Sequence, residues 1–545
     1  MTPAFLRIPP FPGHRAPPLA QTLAGAGLTR SQTTGKELAQ ALRAARVGGA
    51  FWGAQAALPQ GRDVLVAAHG TTRADLQRRG VLDRSVTRGR IAGLEGLPSL
   101  PANCDPWTAC AGTHLVVADA DDELLFVAAL SGCRVEPVGD GRFAALADPG
   151  ALEDVVSAEL SRWTYRDPFG GATLGAVQVI DLLAGWRTLI DANRDVAAVY
   201  GIARWKRITA DNLLWDGSGP VRHADKALPP PGASLALAWI ARSDADTLRA
   251  LEASGVHIGE IEDGMIRSTG LGANCVPPLS IVVDARGPHF DPVQASELEI
   301  ILQSAAIPEA VLQRAAALRE RLVSGGISKY GQDSTHRQNA EKNARSAGRK
   351  LVLVTGQVGD DRSVLRGGGG LDNMELLRRA RALEPGATIV FKPHPDVEAG
   401  HRKGRIPDPI ALEFADEIDR TSSIAALLDR VDAVHVLTSL AGFEALMRGR
   451  EVVTHGVPFY AGWGLTRDLG AVPARRTRRR SLDELVAATL ILYPRYLDPV
   501  TRLPCGPETL VDRIAGGQAE VRSPLIRLRE AQGKLNRLIE WIARQ

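Results

Sequence analysis

Hydrophobic and polar positions follow each other in blocks along the chain. Short apolar, β-branched runs stop at polar or glycine-rich turns, and patterns of helical period follow them. The clearest blocks are LVLVTGQVGDDRS (Leu351–Ser363), IVFKPHPDV (Ile389–Val397) and DAVHVLTSLAGFEALMRG (Asp432–Gly449). Such blocks are typical of parallel α/β sheets, which present a ligand cleft at the carboxyl ends of their strands. The pattern therefore predicts a parallel sheet here, with polar residues collected at one edge.

The same pattern over the whole chain predicts three α/β units and a terminal helix. A chain of 545 residues is too long for one ordinary core. We predict divisions at residues 1–195, 196–345, 346–515 and 516–545. The proline- and glycine-rich segment Gly217–Pro231 predicts a linker, and Ser324–Lys329 predicts a hinge.

Both ends of the chain have distinctive patterns. The proline-rich start predicts a poorly ordered segment, followed by a helix over Gly35–Ala45 and a short strand over Ala50–Trp52. Ser523–Gln545 predicts an amphipathic helix with one apolar stripe. This helix either packs on the body of the protein or contacts an anionic membrane surface through basic residues. Those residues are Arg527, Arg529, Lys534 and Arg537.

An internal similarity links the first and third units. HLVVADADDELLFVAALSGCRVEPVG (His114–Gly139) parallels HVLTSLAGFEALMRGREVVTHG (His435–Gly456), with His and Glu nine residues apart in both. The first copy has no counterpart to KPHP, GQVGDD or PFYAGWG. We infer a duplicated module whose first copy kept the fold and lost the chemistry, although chance similarity of two α/β segments is the alternative.

Composition and charge exclude several classes. Hydrophobic residues make up 45% and charged residues 23%, as in soluble globular proteins. A net charge of +3 argues against a dedicated nucleic-acid-binding protein. The five cysteines form no CxxC pair, which favours a reducing compartment and disfavours a structural zinc site. The chain has no apolar run of about 18 residues and no signal-peptide pattern at its start, so we predict a cytoplasmic location.

Polar residues at the first strand end are candidates for chemistry. Gln357, Asp360 and Asp361 directly follow the apolar run, and a carboxylate there can act as a nucleophile or a base, or can cap the next helix. Arg362 follows, and its cation can keep a neighbouring carboxylate ionised.

The next two strand ends carry a histidine and a serine. In Lys392-Pro393-His394-Pro395 the prolines fix the backbone around the imidazole, which suits phosphate binding or assistance to a leaving group. Ser439 predicts a helix N-cap whose free N–H groups bind phosphate. The aromatic segment Pro458–Trp463 predicts either a stacking platform or buried packing.

The middle unit contributes a second acidic group. Glu262 and Asp263 follow the strand HIGEI, and Arg267 lies shortly after. Glu262 is either a general base or the partner of a structural salt bridge to Arg267, and Arg267 can clamp a carboxylate. The chain has no GxGxxG, no P-loop and no DxD-type metal pair, which argues against a dehydrogenase, a kinase or a metal-dependent sugar transferase.

The chain resembles the capsular polysaccharide β-Kdo glycosyltransferase family, that is, KpsC-type capsule biosynthesis or export proteins, and is similar to rhizobial K-antigen proteins. The segments that carry the resemblance are EDGMIRSTGLGANCVPPLSIVVD (262–284), GGISKY (325–330), GQVGDDRSV (356–364), KPHPDVEAGHRKG (392–404), TSLAGFEALMRGREV (438–452), GVPFYAGWGLT (456–466) and SLDELVAATLILYPRY (481–496). The resemblance implies a GT-B-like α/β fold, two Rossmann-like domains facing a cleft, here with a degenerate N-terminal module.

The resemblance also implies an activity. The family transfers β-Kdo from CMP-Kdo without a metal or other cofactor, so we expect a retaining transferase acting on a lipid-linked or Kdo-terminated acceptor in capsule biosynthesis. We expect one active site, because the first module lacks the motifs. The partners implied are CMP-Kdo, a glycolipid acceptor, the inner-membrane surface and capsule assembly proteins. The alternatives are a transferase for another CMP-nonulosonate and a non-catalytic scaffold of the capsule machinery.

Site roles follow from combining both lines of reasoning. We assign Asp361 as the nucleophile with Asp360 as its rival, Glu262 as the base on the acceptor hydroxyl, and His394 as the group that assists the departing phosphate. Donor binding is assigned to Gln357, Asp360, Lys392, Pro395, Thr438, Ser439, Gly442 and Glu444. Contacts to a sugar or acceptor carboxylate are assigned to Arg267, Asp263 and Lys329.

Overall fold

The chain forms two compact units in a computed structural model. The structure describes residues 3–22, 33–269, 275–329, 331–332, 348–398, 400 and 402–520. The first unit comprises 1–195, 214–221 and 501–503, and the second comprises 196–213, 222–500 and 504–545. The predicted terminal helix over Ser523–Gln545 lies outside the described residues. No helix of the described part is long and apolar enough to span a membrane.

The first unit is built on a five-stranded parallel sheet, the N-terminal sheet. In spatial order its strands are Ser99–Leu100, Ser85–Arg88, Val64–Val66, Leu115–Asp119 and Arg134–Val138. A small three-stranded sheet contains Ala20–Thr22, Trp163–Arg166 and Thr173–Leu174. The helices are Gly35–Ala45, Arg73–Arg78, Pro106–Cys110, Glu123–Leu130, Leu152–Ser161 and Ala176–Asn193.

Two local predictions for the first unit are wrong. Residues 3–22 are ordered, because Phe5, Leu6 and Phe11 are almost completely buried in the core of this unit. Burial of three large apolar side chains outweighs the conformational cost of ordering a proline-rich segment. Ala50–Trp52 forms a turn instead of a strand. The predicted helix over Gly35–Ala45 is confirmed, and Thr34 caps it.

The second unit contains two six-stranded sheets, and the first of these is the middle sheet. Its spatial order is Pro504–Cys505, Arg495–Leu497, Ser280–Asp284, His257–Asp263, Leu235–Ala238 and Val196–Tyr200. The last three strands are parallel and end at the same edge. Glu262 therefore lies at the carboxyl end of its strand, as the apolar run before it predicts.

The other sheet of the second unit, the C-terminal sheet, is fully parallel. Its spatial order is Glu417–Ile418, Thr388–Lys392, Leu351–Thr355, Ala433–Val436, Glu451–Thr454 and Arg467–Asp468. Val352, Leu353 and Val354 have no exposed surface. Burial on both faces of the sheet explains why the strand is apolar without alternation.

Helices complete the second unit. They are Arg207–Leu213, Ala245–Ala253, Glu297–Ser304, Glu309–Ser324, Arg362–Gly367, Asn373–Leu383, Pro395–Glu398, Asp408–Ala411, Ile424–Arg430, Leu440–Met447, Leu482–Val486 and Pro507–Ala515, with a π-helical turn at Ala487–Leu492. Ile327–Ser328 pairs with Gly331–Gln332. The α/β class predicted from the sequence is confirmed. All five cysteines are free thiols.

Strand order relates the N-terminal and C-terminal sheets. When the strands of each are numbered in chain order, the C-terminal sheet reads 3-2-1-4-5-6 and the N-terminal sheet reads 3-2-1-4-5. This is the strand order of dinucleotide-binding α/β folds, in which ligands bind where the order reverses, between strands 1 and 4. The similarity of His114–Gly139 to His435–Gly456 thus joins segments that begin at the fourth strand of each sheet. The duplication itself stays an inference.

Candidate active site

The reversal point of the C-terminal sheet opens into a cavity of about 630 Å³. Strand Leu351–Thr355 leads into Gln357, and strand Ala433–Val436 leads into Thr438. The Gln357 side chain joins these two strand ends: its Nε2 donates to Thr438 Oγ1 at 3.0 Å, and its Oε1 accepts from Thr438 N at 2.9 Å. The Nε2 and Oε1 of Gln357 thus hold the two strand ends together, and Gln357 itself lines the cavity. Its role in donor binding stays a prediction.

Asp361 and Asp360 are clearly distinguished by the structure. Asp361 lines the cavity and caps the Arg362–Gly367 helix, its Oδ1 accepting from Ser363 N at 2.9 Å and from Ser363 Oγ at 2.7 Å. Among the residues described, Oδ2 has no hydrogen-bond donor. Asp360 lies outside the cavity lining and pairs with Arg402 at 3.0 Å. Capping and a role in the cavity are therefore compatible for Asp361, whereas the donor-binding role predicted for Asp360 has no geometric basis.

His394 lines the cavity in a defined tautomer. The backbone N–H of Asp396 donates to His394 Nδ1 at 3.2 Å, so the ring proton of the neutral imidazole is on Nε2. Burial lowers the pKa of His394 below its usual value. The imidazole is therefore neutral at pH 7 and offers Nε2–H as a hydrogen-bond donor. Pro395, also in the cavity wall, begins the short helix that supplies Asp396.

Two helix starts point polar groups at the cavity. Ser439 caps the Leu440–Met447 helix, with Oγ accepting from Ala441 N at 3.2 Å, and Ser423 caps the Ile424–Arg430 helix, with Oγ accepting from Ala426 N at 3.1 Å. Both serines line the cavity. Helix N-termini stabilise anions through unpaired N–H groups and the helix dipole. A phosphate is thus a suitable ligand for this wall.

The aromatic segment Pro458–Trp463 supports that wall from behind. Tyr460 is fully buried and its hydroxyl donates to Ser439 O. Gly442 makes this contact possible, because a Cβ on Gly442 would lie 2.2 Å from the Tyr460 hydroxyl oxygen. Gly442 is therefore a packing residue and does not line the cavity. Of the two interpretations of this segment, buried packing is correct for Tyr460 and Trp463, while Phe459 also lines the cavity.

Three cationic side chains line the cavity. Lys329 comes from the loop after the Glu309–Ser324 helix, Lys392 from a strand end, and Arg420 from the following turn. Lys392 Nζ donates to Ser422 O at 2.6 Å, and burial lowers the pKa of Lys392. Arg420 pairs with Glu398 and Asp408. The cavity can therefore hold more than one anionic group.

Glu262 enters the same cavity from the middle sheet. Arg362 Nη1 contacts Glu262 Oε1 at 3.0 Å and Glu260 Oε2 at 2.8 Å. Burial raises the pKa of Glu262 to about 7, although the Arg362 guanidinium opposes the shift. A carboxylate whose pKa lies near the working pH has the property required of a general base. Arg362 directly follows Asp361 in the chain, so its side chain connects the helix start at Asp361 to the middle sheet.

Of the two interpretations of Glu262, the one that pairs it with Arg267 in a salt bridge is wrong. Arg267 is almost completely buried and lies outside the cavity lining, where its Nε pairs with Asp263 Oδ2 at 2.7 Å. Asp263 also contacts Lys206 Nζ at 3.2 Å. The two cations lower the pKa of Asp263 against the effect of burial. The proposed clamp of Arg267 on a ligand carboxylate has no geometric basis, because Asp263 and backbone oxygens occupy the guanidinium.

Glu444 has an unsatisfied atom at the cavity. Its Oε1 accepts from Lys329 N at 3.2 Å, while its buried Oε2 has no hydrogen-bond partner among the described residues. Burial raises the pKa of Glu444. A buried acceptor oxygen in a cavity wall is costly unless a ligand satisfies it. Glu444 is therefore suited to accept a ligand hydroxyl.

Sequence reasoning missed several cavity residues. His289 and Phe290 line it from a loop after strand Ser280–Asp284, and burial lowers the pKa of His289 to about 3. Ser423 directly precedes an apolar helical run, which is a sequence pattern that predicts a helix N-cap. No local signal marks His289, because only the tertiary fold brings it to the cavity. Among the described residues, no group of three or more His, Cys, Asp or Glu side chains could hold a metal ion.

The fold and cavity together define a Rossmann-type α/β protein with a cavity lined by cationic side chains and helix N-termini. Residues 240–496 match the family described as capsule polysaccharide biosynthesis protein. With the relatives described next, this match shows that the chain belongs to the capsule polysaccharide biosynthesis family.

Three relatives illustrate the similarity. Capsule polysaccharide modification protein LipA of Neisseria meningitidis serogroup A is 38% identical over 66% of this chain and 51% of that protein. Lipopolysaccharide-processing protein LpsZ of Rhizobium meliloti is 41% identical over 45% and 55%. The KpsC beta Kdo 2,4 transferase structure from Thermosulfurimonas dismutans is 30% identical over 59% of this chain and 98% of that chain, with a TM-score of 0.51. The matches to LipA and LpsZ cover only about half of those proteins.

Proposed function

We propose that this chain is a retaining glycosyltransferase that transfers β-Kdo from CMP-Kdo to a Kdo-terminated, lipid-linked acceptor in capsule biosynthesis. The observation that carries the proposal is that Asp361 and Glu262 line one cavity from two different sheets. Retention by double displacement needs a carboxylate nucleophile on one side and a base for the acceptor on the other. The similarity to a structure named as a β-Kdo transferase supports the choice of sugar.

Donor binding follows from the polar groups of the C-terminal sheet. The phosphate of CMP lies at the N-termini capped by Ser439 and Ser423, and His394 Nε2–H donates to it. Glu444 Oε2 accepts a ribose hydroxyl, which satisfies its buried oxygen. Lys329 and Lys392 neutralise the phosphate and the Kdo carboxylate. No resident metal or other cofactor is part of the proposal.

The reaction has two displacements. In the first, Asp361 Oδ2 attacks the anomeric carbon as its bond to the phosphate oxygen breaks, and CMP leaves with the electron pair while His394 stabilises its charge. In the second, Glu262 takes the proton of the acceptor hydroxyl, whose oxygen attacks the same carbon and displaces Asp361. Two inversions give net retention. The protein works on the cytoplasmic face of the inner membrane in this proposal, where its acceptor is held.

The decisive experiment incubates the full chain with CMP-Kdo and a synthetic Kdo-terminated acceptor, followed by linkage analysis of the product. Asp361→Asn keeps a side-chain oxygen for the helix cap but removes the nucleophile, so transfer should be abolished while the fold is retained. Asp360→Asn is the matched control and should transfer at the wild-type rate. Full activity of Asp361→Asn would remove this residue from the mechanism.

Donor competition separates the remaining possibilities. Excess CMP-N-acetylneuraminate should not reduce transfer from CMP-Kdo; strong inhibition with transfer of the competing sugar would indicate another CMP-nonulosonate as the donor. Calorimetry with CMP provides a test that is independent of the acceptor. Absence of CMP binding and of turnover would instead favour a non-catalytic scaffold of the capsule machinery.

A further inference from the structure

A second polar pocket lies on the middle sheet, at the carboxyl ends of its two outermost parallel strands. Its volume is about 240 Å³, and it is lined by residues that follow Val196–Tyr200 and Leu235–Ala238. Gly201, which follows the first strand with φ +69°, fits there because a Cβ would meet Ser243 Oγ at 2.6 Å and Trp239 O at 2.7 Å. The two strand ends are therefore held in close contact, and the pocket is part of the folded sheet edge.

Two arginines line this pocket without an acidic partner. Arg207 has a buried Nε with no hydrogen-bond partner in the described ranges, and Arg242 lies in the turn Ile240–Arg242. Within the described part of the chain, neither guanidinium forms a salt bridge. Nearly every half-buried arginine of a protein finds an oxygen partner, because its donors lose water on burial. Arg207 is half-buried and has no such partner among the described residues, and the exposed Arg242 adds a second guanidinium to the same lining, so the pocket is suited to an anionic ligand.

A histidine and an aspartate complete the pocket. His223 Nε2 contacts Asp211 Oδ1 at 2.5 Å, and the buried His223 Nδ1 has no partner in the part of the chain that the structure describes. His223 is held in place by the edge of the sheet, since Val199 N donates to Arg222 O at 2.8 Å and Ala224 N to Val199 O at 2.9 Å. Asp225 supplies a carboxylate to the lining. The pocket thus offers cations for an oxyanion together with acceptors for hydroxyl groups.

We propose that this pocket binds one acidic sugar unit of the acceptor glycan, with its carboxylate between Arg207 and Arg242 and its hydroxyls on Asp225 and His223. The volume is below the ~300 Å³ at which drug-sized ligand sites begin, which suits a single sugar ring. A phosphate is a poorer ligand for two reasons. The carboxylate of Asp225 repels its second negative charge, and a phosphate has no sugar-ring hydroxyl that could donate to Asp225. The proposal deepens the transferase function, on which its kinetic test rests.

The position of the pocket fits an acceptor subsite. Only strand Leu235–Ala238 lies between the Val196–Tyr200 and His257–Asp263 strands, so the pocket lies about 10 Å across the sheet from the strand that carries Glu262. The turn Arg204–Lys206 and the helix that follows it connect the two places: Lys206 contacts Asp263, beside Glu262, and Arg207 lines the pocket. An acceptor held here can place a neighbouring sugar hydroxyl at the base.

The kinetic test replaces both arginines with glutamine in the full chain. Loss of the paired charge-assisted bonds should raise the KM for an acidic-sugar-terminated acceptor at least about tenfold, with kcat and the KM for the donor within about twofold of wild type. Arg204→Gln, an exposed neighbour outside the pocket lining, is the control and should change neither constant. An unchanged acceptor KM in the double variant, or an equal rise in donor KM, overturns the proposal.

A binding test does not depend on transfer. Methyl β-glycosides of Kdo and of N-acetylneuraminate, their methyl esters, and methyl phosphate serve as probes in NMR titrations of wild type and the double variant. Resonances of the residues that line this pocket report on it separately from the main cavity, which binds anions in the proposed function. We expect the acidic glycosides to shift the pocket resonances of wild type only, and the esters and methyl phosphate to shift those of neither protein. Shifts of the pocket resonances by methyl phosphate without the glycosides, or by the glycosides in the double variant, contradict the subsite. This binding result does not depend on transfer, so it tests the subsite even if the chain has no transferase activity.

Discussion

At the residue scale, the environment of Glu262 decides what it can do. Burial favours its protonated form, while Arg362 favours the ionised form, and the balance places the pKa at about 7. The same guanidinium also contacts Glu260, so one cation is shared between two carboxylates. Glu262 can therefore take up a proton at neutral pH without a large energetic cost.

Glu262→Gln should separate the two displacements. Glutamine cannot accept the acceptor proton, so transfer should slow by about 10²–10⁴-fold, while attack by Asp361 continues. Intact-protein mass spectrometry after incubation with CMP-Kdo should show a sugar adduct that accumulates. The adduct should be absent from a protein that also carries Asp361→Asn. Rapid turnover of Glu262→Gln would show that another group acts as the base.

The pH dependence of transfer follows from the same residue. The base works when ionised, so kcat/KM for the acceptor should rise with pH and level off above an apparent pKa of about 7. Arg362→Ala removes the cation that favours ionisation and should move this limb to higher pH. Arg362→Lys keeps the charge and should shift it less. If the rise of kcat/KM occurs at the same pH in Arg362→Ala as in wild type, ionisation of Glu262 is not its cause.

At the element scale, the starts of helices build one wall of the cavity. The Leu440–Met447 helix is held by its cap at Ser439 and by the contact between Tyr460 and Gly442. Phosphate affinity should thus depend on a helix start that local chemistry and tertiary packing both fix.

Removing the cap should weaken CMP binding as well as stability. Ser439→Ala should lower the free energy of unfolding by about 1 kcal/mol and reduce CMP affinity in calorimetry. Ser481→Ala is the matched control, because Ser481 caps the Leu482–Val486 helix away from the cavity. It should cost a similar free energy and leave CMP affinity unchanged. Equal affinity of both variants for CMP would show that the N-terminus at Ser439 does not bind phosphate.

Two helical glycines should respond in opposite ways to alanine. Gly442→Ala forces a Cβ into Tyr460 and should lower the free energy of unfolding by about 1–3 kcal/mol. Gly185, in the Ala176–Asn193 helix, has open space around it, and Gly185→Ala should raise stability by about 0.5–1 kcal/mol. Urea unfolding of both variants measures the difference. A neutral Gly442→Ala would mean that Tyr460 moves freely.

Local signals predicted the strand ends and missed the long-range pairs. Apolar runs placed Asp361, His394 and Ser439 at strand ends, because burial on both faces of a parallel sheet leaves a direct trace in the sequence. The ion pair of Arg362 with Glu262 has no such trace, since the two residues are 100 positions apart. The predicted contact of Arg267 with a ligand carboxylate fails for the same reason, because a charged side chain in a polar segment gives no sign that the fold will bury it.

At the scale of the whole molecule, the two similar sheets differ at the place where a ligand would bind. In the N-terminal sheet, His69 Nδ1 lies 2.6 Å from Asp119 Oδ2, which joins the ends of the first and fourth strands. In the C-terminal sheet the neutral pair Gln357 and Thr438 joins the equivalent strand ends beside an open cavity. The loss of chemistry in the first unit stays a prediction.

Changes at the N-terminal pair should leave transfer intact. His69→Ala and Asp119→Asn should each transfer Kdo at a rate within about twofold of wild type, because an exposed pair contributes no more than about 1 kcal/mol to the unit that carries it. The matched change in the second unit, Thr438→Val, removes the hydrogen bond from Gln357 Nε2 to Thr438 Oγ1 and should reduce CMP affinity. A tenfold loss of transfer in either N-terminal variant would reveal a catalytic contribution from the first unit.

The shared strand order has a use in protein engineering. A chain that already carries a second sheet of the order 3-2-1-4-5 supplies a folded scaffold on which a new nucleotide pocket can be installed by redesigning two loops. These are the loops after Val64–Val66 and Leu115–Asp119, where His69 and Asp119 now pair. Since loop tips tolerate substitution better than buried strands, such a redesign can leave the strands of the sheet unchanged.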